Sequence, residues 1–265
     1  MMTPPPLLID ERDGYAILTL NRPESRNPLS DAMIGVLTES LESLAARKDI
    51  RAIVIDAKGS VFSAGHDLKE MTAHRADRDR GRGYFEDLLG RCADLMQMIL
   101  KQPQPVIAAV EGIATAAGCQ LVASCDLAVA GANARFATPG VHIGLFCSTP
   151  MVALSRNLSR KHAMEMLLLG DFVSAAEAFR FGLVNRVVEE GLALSEAELL
   201  ARRIASKSPL TIAIGKRAFY EQADMTVEDA YRHASRVMLE NMLARDAEEG
   251  INAFIEKREA QWSGQ

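Results

Sequence analysis

Residues 111–130 read EGIATAAGCQLVASCDLAVA. Ala116, Ala117, Gly118 and Cys119 are small, so they leave the backbone N–H groups uncovered and let another chain segment come close. The run is preceded by Val106 to Val110, a short apolar stretch of the buried-strand type, and followed by a second at Leu127 to Ala130. Between the turn and Leu127 the spacing predicts a helix from about Gly118. Strand, turn, helix and buried strand in succession predict an α/β core.

The same grammar recurs upstream. RAIVID at 51–56 reads as a buried strand that runs into the turn KGSVFSAGHD. YAILTL at 15–20 reads as a strand, and Ser30 caps a helix toward Ala46 with Ile34, Leu37, Leu41 and Leu44 on one face. Phe85 to Leu100 reads as an amphipathic helix. The charged stretch HRADRDRGRG at 74–83 reads as a mobile surface loop. Beyond residue 150 helical periods dominate, interrupted by a strand in LVNRVV at 183–188 and by SKSP at 206–209. The expected division is a core over 1–209 and a helical region over 210–265, in which Leu239, Met242 and Leu243 form an apolar stripe suited to packing on another subunit.

Composition narrows the partners. The chain has 265 residues, a formal net charge of −5 and 25% charged residues. That balance disfavours an electrostatic nucleic-acid partner. No run approaches the ~18 apolar residues of a membrane helix. MMTPPPLLIDERDG has neither the basic start nor the apolar centre of a secretion signal. Cys92, Cys119, Cys125 and Cys147 show no C-x-x-C pair and no zinc spacing, so buried free thiols and no metal are expected. A soluble, cytoplasmic protein is the expectation.

FSAGHD at 62–67 and GIATAAG at 112–118 each follow an apolar strand. If the two turns meet, two N–H groups converge on one oxygen and stabilise the charge of an enolate or tetrahedral adduct. Small residues in tight strand–helix packing are the competing account.

Taken together, LNRPESRNPLS at 20–30, VFSAGHDLKEM at 61–71, the 111–130 stretch, ARFATPGVHIGL at 134–145, GDFVSAAEAFRFGLVNRVV at 170–188 and EEGINAFIEKR at 248–258 resemble the enoyl-CoA hydratase/isomerase, or crotonase, family. The nearest resemblance is to its enoyl-CoA hydratase domain-containing branch. The resemblance implies a β-β-α spiral core with a C-terminal helical trimerisation region, a homotrimer or homohexamer, and a coenzyme A thioester as ligand with no permanently bound cofactor. It places the thioester oxygen against the N–H of His66 and Ala117. It sets Ala64, Asp67, Leu68 and Lys69 along the adenine and pantetheine path, Ser25 and Arg26 near the nucleotide, and Lys257 toward a neighbouring subunit's phosphate.

Hydration in this family uses two glutamates, and the resemblance puts them at Gln120 and Gly140. An amide cannot accept a proton usefully near neutral pH, and glycine offers nothing. General acid–base groups contribute roughly 10²–10⁴ each, so weak or absent hydration is expected. His142 is the titratable candidate to substitute. The readings that follow are an enoyl-CoA hydratase-like enzyme with weak hydration, a noncatalytic acyl-CoA-binding or regulatory protein, and, as a minor alternative, another reaction of the family such as isomerisation.

Overall fold

A computed structural model describes residues 4–265. The strands are β1 (Leu7–Arg12), β2 (Tyr15–Leu20), β3 (Ala52–Ala57), β4 (Val61–Ser63), β5 (Val106–Val110), β6 (Ile113–Thr115), β7 (Leu127–Gly131), β8 (Arg135–Ala137), β9 (Val173–Ser174) and β10 (Arg186–Val188). The helices are α1 (Asp31–Ala45), α2 (Leu68–Ala73), α3 (Arg82–Lys101), α4 (Ala117–Ser124), α5 (Ser148–Asn157), α6 (Arg160–Leu169), α7 (Ala175–Phe181), α8 (Ala193–Ala205), α9 (Pro209–Gln222), α10 (Val227–Met242) and α11 (Arg245–Glu256).

The strands form two sheets that share their connections. The larger has the order β1-β2-β3-β5-β7-β10, parallel except for the β1–β2 hairpin. The smaller has the order β4-β6-β8-β9, parallel except for β9. Each of three successive units runs from a large-sheet strand into a small-sheet strand and then a helix or turn. This is the β-β-α spiral of the crotonase fold, followed by a C-terminal helical region.

The inner strands of the large sheet, β2, β3, β5 and β7, are buried on both faces, and the period of two sorts their side chains. Leu18, Leu20, Ile53, Ile55, Val106, Ala108 and Val110 join the main core with α1, α3 and α4. Their neighbours Tyr15, Ile17, Val54, Ile107, Ala109 and Val129 face α8. Ala193, Ala197 and Ala201 recur every four residues on α8, which brings that helix down onto the sheet.

Local chemistry fixes several boundaries. The Ser30 hydroxyl accepts from Met33 N–H and starts α1. Ser174 and Glu177 form a reciprocal capping box at α7. The 74–83 segment is exposed bend and turn over 77–80 as expected of a surface loop, and departs from that reading at its two ends. His74 stacks on Tyr84 with ring centroids 3.7 Å apart, and the Asp79 carboxylate accepts from the N–H of Gly81 and Gly83. These contacts hold a one-turn 3₁₀ segment, and α3 begins three residues before Phe85. The strand read over 183–188 is confined to Arg186–Val188.

A buried ion pair ties α9 to the core. Lys216 Nζ lies 2.6 Å from Asp126 Oδ2, which also accepts from Val106 N–H at 2.7 Å. The Tyr220 hydroxyl donates to Asp126 Oδ1 at 2.9 Å.

Candidate functional site

Because β4 and β6 are neighbouring parallel strands, the turns that leave them emerge side by side. Their approach is close enough to forbid side chains. A Cβ built on Gly65 would lie 2.9 Å from Ala116 Cβ and 3.1 Å from both Ala117 N and Thr115 O. A Cβ on Gly118 would lie 2.4 Å from Ser63 O. The small residues are therefore a condition of contact between the two turns.

Both turns carry unusual backbone. Gly65 has φ +87°, which glycine adopts freely. Ala116 has φ 51° and ψ −120°, a region nearly reserved for glycine that costs about 1–3 kcal/mol. Ala116 N–H donates to Ala137 O at 3.0 Å, Leu29 N–H to Gly65 O at 2.8 Å, and Ala64 N–H to Arg26 O at 3.0 Å. These bonds hold the strained turns together. Ala117 opens α4, so its N–H has no acceptor in the helix. Among the described residues no protein acceptor takes the His66 N–H.

The His66 side chain leans toward α1. Its Nδ1 lies 3.2 Å from Leu29 O, a pure acceptor, so Nδ1 carries the proton and Nε2 keeps its lone pair. Burial lowers the imidazole pKa, and Nε2 is enclosed with no hydrogen-bond partner among the described residues. The Tyr84 hydroxyl is likewise enclosed and unpartnered, its pKa pushed up to about 12 by burial and by Asp31 and Glu70 nearby. Arg91 pairs with Asp31, and Glu70 accepts from the Asp31 N–H at 3.2 Å. A polar cluster from α1, α2 and α3 thus braces the first turn. Nothing in the spacing of these residues announces it, because its members come from three separate helices.

Asp67 caps α2, its carboxylate accepting from Lys69 N–H at 2.8 Å and Glu70 N–H at 3.3 Å. Leu68 and Lys69 are exposed, and Ala64 is half-buried. Ser25 and Arg26 are exposed in a tight turn, with Arg26 at φ 67°. Lys257 is exposed at the end of α11 with φ 56°.

Gln120 lies three and four residues beyond Ala117 and Ala116, so it shares their face of α4 one turn further in. It is 4% exposed, and its Oε1 has no hydrogen-bond partner among the described residues. Gly140 follows Ala137, whose carbonyl takes the Ala116 N–H. The side-chain direction at Gly140 is filled. A Cβ there would lie 2.8 Å from Leu145 O and 2.9 Å from Cys147 Sγ. The His142 ring lies elsewhere, its Nε2 against Gly170 at the end of α6, with the residue exposed.

No carboxylate stands at position 120 or 140. The spiral of two sheets and the paired turns define a crotonase-type protein. The chain belongs to the enoyl-CoA hydratase/isomerase family, whose profile matches residues 10–265. It is similar to rat mitochondrial enoyl-CoA hydratase domain-containing protein 3, 47% identical over 96% of this chain and 83% of that protein. It superimposes on the crystal structure of an enoyl-CoA hydratase from Mycobacterium smegmatis with a TM-score of 0.92, at 51% identity over 97% of this chain and 99% of the other. The crystal structure of human enoyl-CoA hydratase domain-containing protein 3 gives the same TM-score at 45% identity, over 97% of this chain and all of the other.

Proposed function

We propose that this chain binds a coenzyme A thioester, holds its oxygen between the N–H groups of His66 and Ala117, and hydrates enoyl-CoA weakly. The contact of Gly65 with Ala116 and Ala117 carries the reading, because it sets two amides without protein acceptors beside each other. The dipole of α4 adds to the same stabilisation. Ala64, Asp67, Leu68 and Lys69 then line the path of the pantetheine and adenine. Ser25, Arg26 and Lys257 supply the contacts to the nucleotide end, with arginine and lysine suited to its phosphates.

Removing a single oxyanion donor costs about 10²–10³ in rate in known enzymes, so retaining both is a large part of the chemistry. Without Glu at 120 and 140 the remaining step is polarisation of the thioester, not efficient activation of water. A noncatalytic acyl-CoA-binding or regulatory role is the second reading, favoured by the loss of both carboxylates. Isomerisation is a minor third, since it too needs a carboxylate that Gly140 and Ser148 do not provide. His142, ring against Gly170, contributes to none of these as a substitute acid in our reading.

The assembly we propose is a homotrimer or homohexamer through the helices of 210–265, with residues 1–209 as the spiral core. Leu239, Met242, Leu243, Phe254 and Ile255 are all exposed in the single chain. Among the described residues no helix is long and apolar enough to cross a membrane. The cytoplasmic placement expected from the sequence stands beside relatives whose names place them in mitochondria. Fractionation of the source cells decides between the two.

Calorimetry with acetyl-, butyryl- and crotonyl-CoA tests the binding, and the absence of heat with all three at millimolar ligand overturns it. Crotonyl-CoA hydration is expected far below an ordinary enzyme rate of about 10 s⁻¹.

A further inference from the structure

Lys257 stands where a helix end ordinarily carries glycine. It has φ 56° and ψ 40°, the left-handed conformation that L side chains rarely adopt. The Arg258 N–H donates to Ala253 O at 3.0 Å and the Lys257 N–H to Phe254 O at 3.3 Å, so α11 closes on the turn that favours glycine at this position. Arg26, Asn27, Arg80 and Ala116 are the other described non-glycine residues with a positive φ. Ala116 lies in the second turn of the proposed thioester site, and Arg26 shares with Lys257 the nucleotide end of the ligand. Strain of this kind collects at ligand contacts, and it persists only where the surroundings enforce it.

The surroundings of Lys257 do enforce it. Arg258 folds back along α11 and grips Glu249 in a fork, Nη1 to Oε1 at 2.6 Å and Nη2 to Oε2 at 2.9 Å. Its Nε donates to Glu256 at 2.6 Å, so the residues on either side of Lys257 are tied to each other. Glu249 Oε1 also accepts the Gln261 N–H at 2.8 Å, which brings the tail down beside α11. Further along, Trp262 Nε1 donates to Ser206 O, and Asp246 accepts from the N–H groups of Ser263 and Gly264. An isolated surface ion pair adds little, but a bidentate one within a network fixes geometry. Arg258 and the Gln261 N–H hold the Glu249 carboxyl pKa down at about 2, so the fork is charged across the neutral range. The Lys257 side chain is left exposed, and no hydrogen bond or ion pair among the described residues claims its ammonium.

We infer that Glu249 and Arg258 are positioning residues that set Lys257 on a phosphate of the coenzyme A thioester held by a neighbouring subunit. The inference rests on the thioester reading above and on its placement of Lys257. A lysine side chain loses rotamer freedom when it grips a phosphate. The fork lowers that cost from the backbone side. With φ and ψ of residue 257 held, the direction in which its side chain leaves the helix is set before the ligand arrives. Glycine in its place relaxes the helix end but offers no amine, so stability and affinity pull in opposite directions at this residue.

The test is butyryl-CoA calorimetry and urea unfolding of the full chain as wild type, Lys257→Gly, Glu249→Gln and the double variant. Lys257→Gly is expected to raise the urea midpoint and to weaken butyryl-CoA binding about tenfold, the weight of one charge-assisted contact. Glu249→Gln breaks the fork at constant side-chain size and is expected to weaken binding about threefold or more, within the coupling of residues joined through one network. In the Lys257→Gly background the same change is expected to cost no further affinity. A loss that persists in that background is a general loosening of the helix and overturns the inference. Full affinity in Glu249→Gln beside weak binding in Lys257→Gly overturns it too, and leaves the placement of Lys257 standing. A midpoint that fails to rise in Lys257→Gly shows no strain there and counts against it equally. Unchanged affinity in Lys257→Gly removes Lys257 from the nucleotide end and the inference with it, while wild-type binding keeps the thioester reading. No heat from the wild type at millimolar butyryl-CoA removes both. If Glu249→Gln fails to fold, Arg258→Gln takes its place in the same cycle.

Discussion

Gly65→Ala probes the contact on which the site depends. The new methyl group meets Ala116 Cβ at 2.9 Å, with Ala117 N and Thr115 O at 3.1 Å, on a backbone at φ +87°. The left-handed backbone alone costs about 1–2 kcal/mol for a residue other than glycine. Overpacking against two main-chain atoms and a methyl adds about 1–3 kcal/mol. The sum is roughly 2–5 kcal/mol of lost stability, read as a lower urea midpoint at constant slope. As the turns part, the two amides lose their common focus, and a misdirected donor weakens butyryl-CoA binding by about 0.5–1.5 kcal/mol. Ala116→Gly relieves both the methyl–methyl contact and the strain at φ 51°. The double variant therefore recovers part of the loss, with a coupling energy in the range of about 0.5–3 kcal/mol. Urea unfolding of the four proteins, followed by calorimetry, measures both quantities. A Gly65→Ala protein with unchanged midpoint and affinity, or strictly additive variants, refutes the reasoning.

Ala116→Gly alone is expected to raise stability by up to about 1–3 kcal/mol through relief of the strained backbone, less the entropy that glycine adds to the unfolded chain; a lower melting temperature contradicts it. Gly140→Glu is expected to destabilise, since Leu145 O and Cys147 Sγ occupy its path, and unfolding by urea reads this directly. Asp126→Ala strands the Lys216 ammonium and is expected to cost about 3–5 kcal/mol, measured by chemical denaturation. Burial, with Glu111 and Glu198 adding to it, pushes the Asp56 pKa up to about 6. The folded state then holds that proton more tightly than the unfolded chain, so this contribution to stability is present at low pH and is lost between about pH 4 and 6. Asp56→Asn is expected to remove that slope and to gain about 1–3 kcal/mol at pH 7, checked by midpoints across the pH range.

The large sheet was legible in the sequence because β2, β3, β5 and β7 are apolar runs buried on both faces, a local signal. β1 was not, since LLIDER is a largely exposed edge strand without alternation. The small sheet was hidden because β4, β6 and β8 are only three residues each and β9 two, too short to carry a period. They exist through pairing with one another. The two turns were legible from their small residues, and the structure brings them into contact. What fills the side-chain direction of Gly140 was not legible. It depends on a loop returning from five and seven residues downstream, and no local pattern specifies that return. The 74–83 segment is the exposed stretch expected, but its internal order was not legible for a related reason. Its charges resemble a solvated tract, yet Asp79 spends its carboxylate on main-chain amides and His74 its ring on Tyr84.

The Lys216–Asp126–Tyr220 cluster has a mechanical consequence. Asp126 stands two residues past the end of α4, whose first residue is Ala117, and its carboxylate also grips the first amide of β5. An eight-residue helix is a rod of about 12 Å. Load applied to α9 reaches that rod at one end, while the other end presents the amide of Ala117. The rivet therefore joins the region through which subunits would associate to the lip that would hold a thioester. A displacement of α9 would therefore be passed through Asp126 toward the end of α4 that carries Ala117.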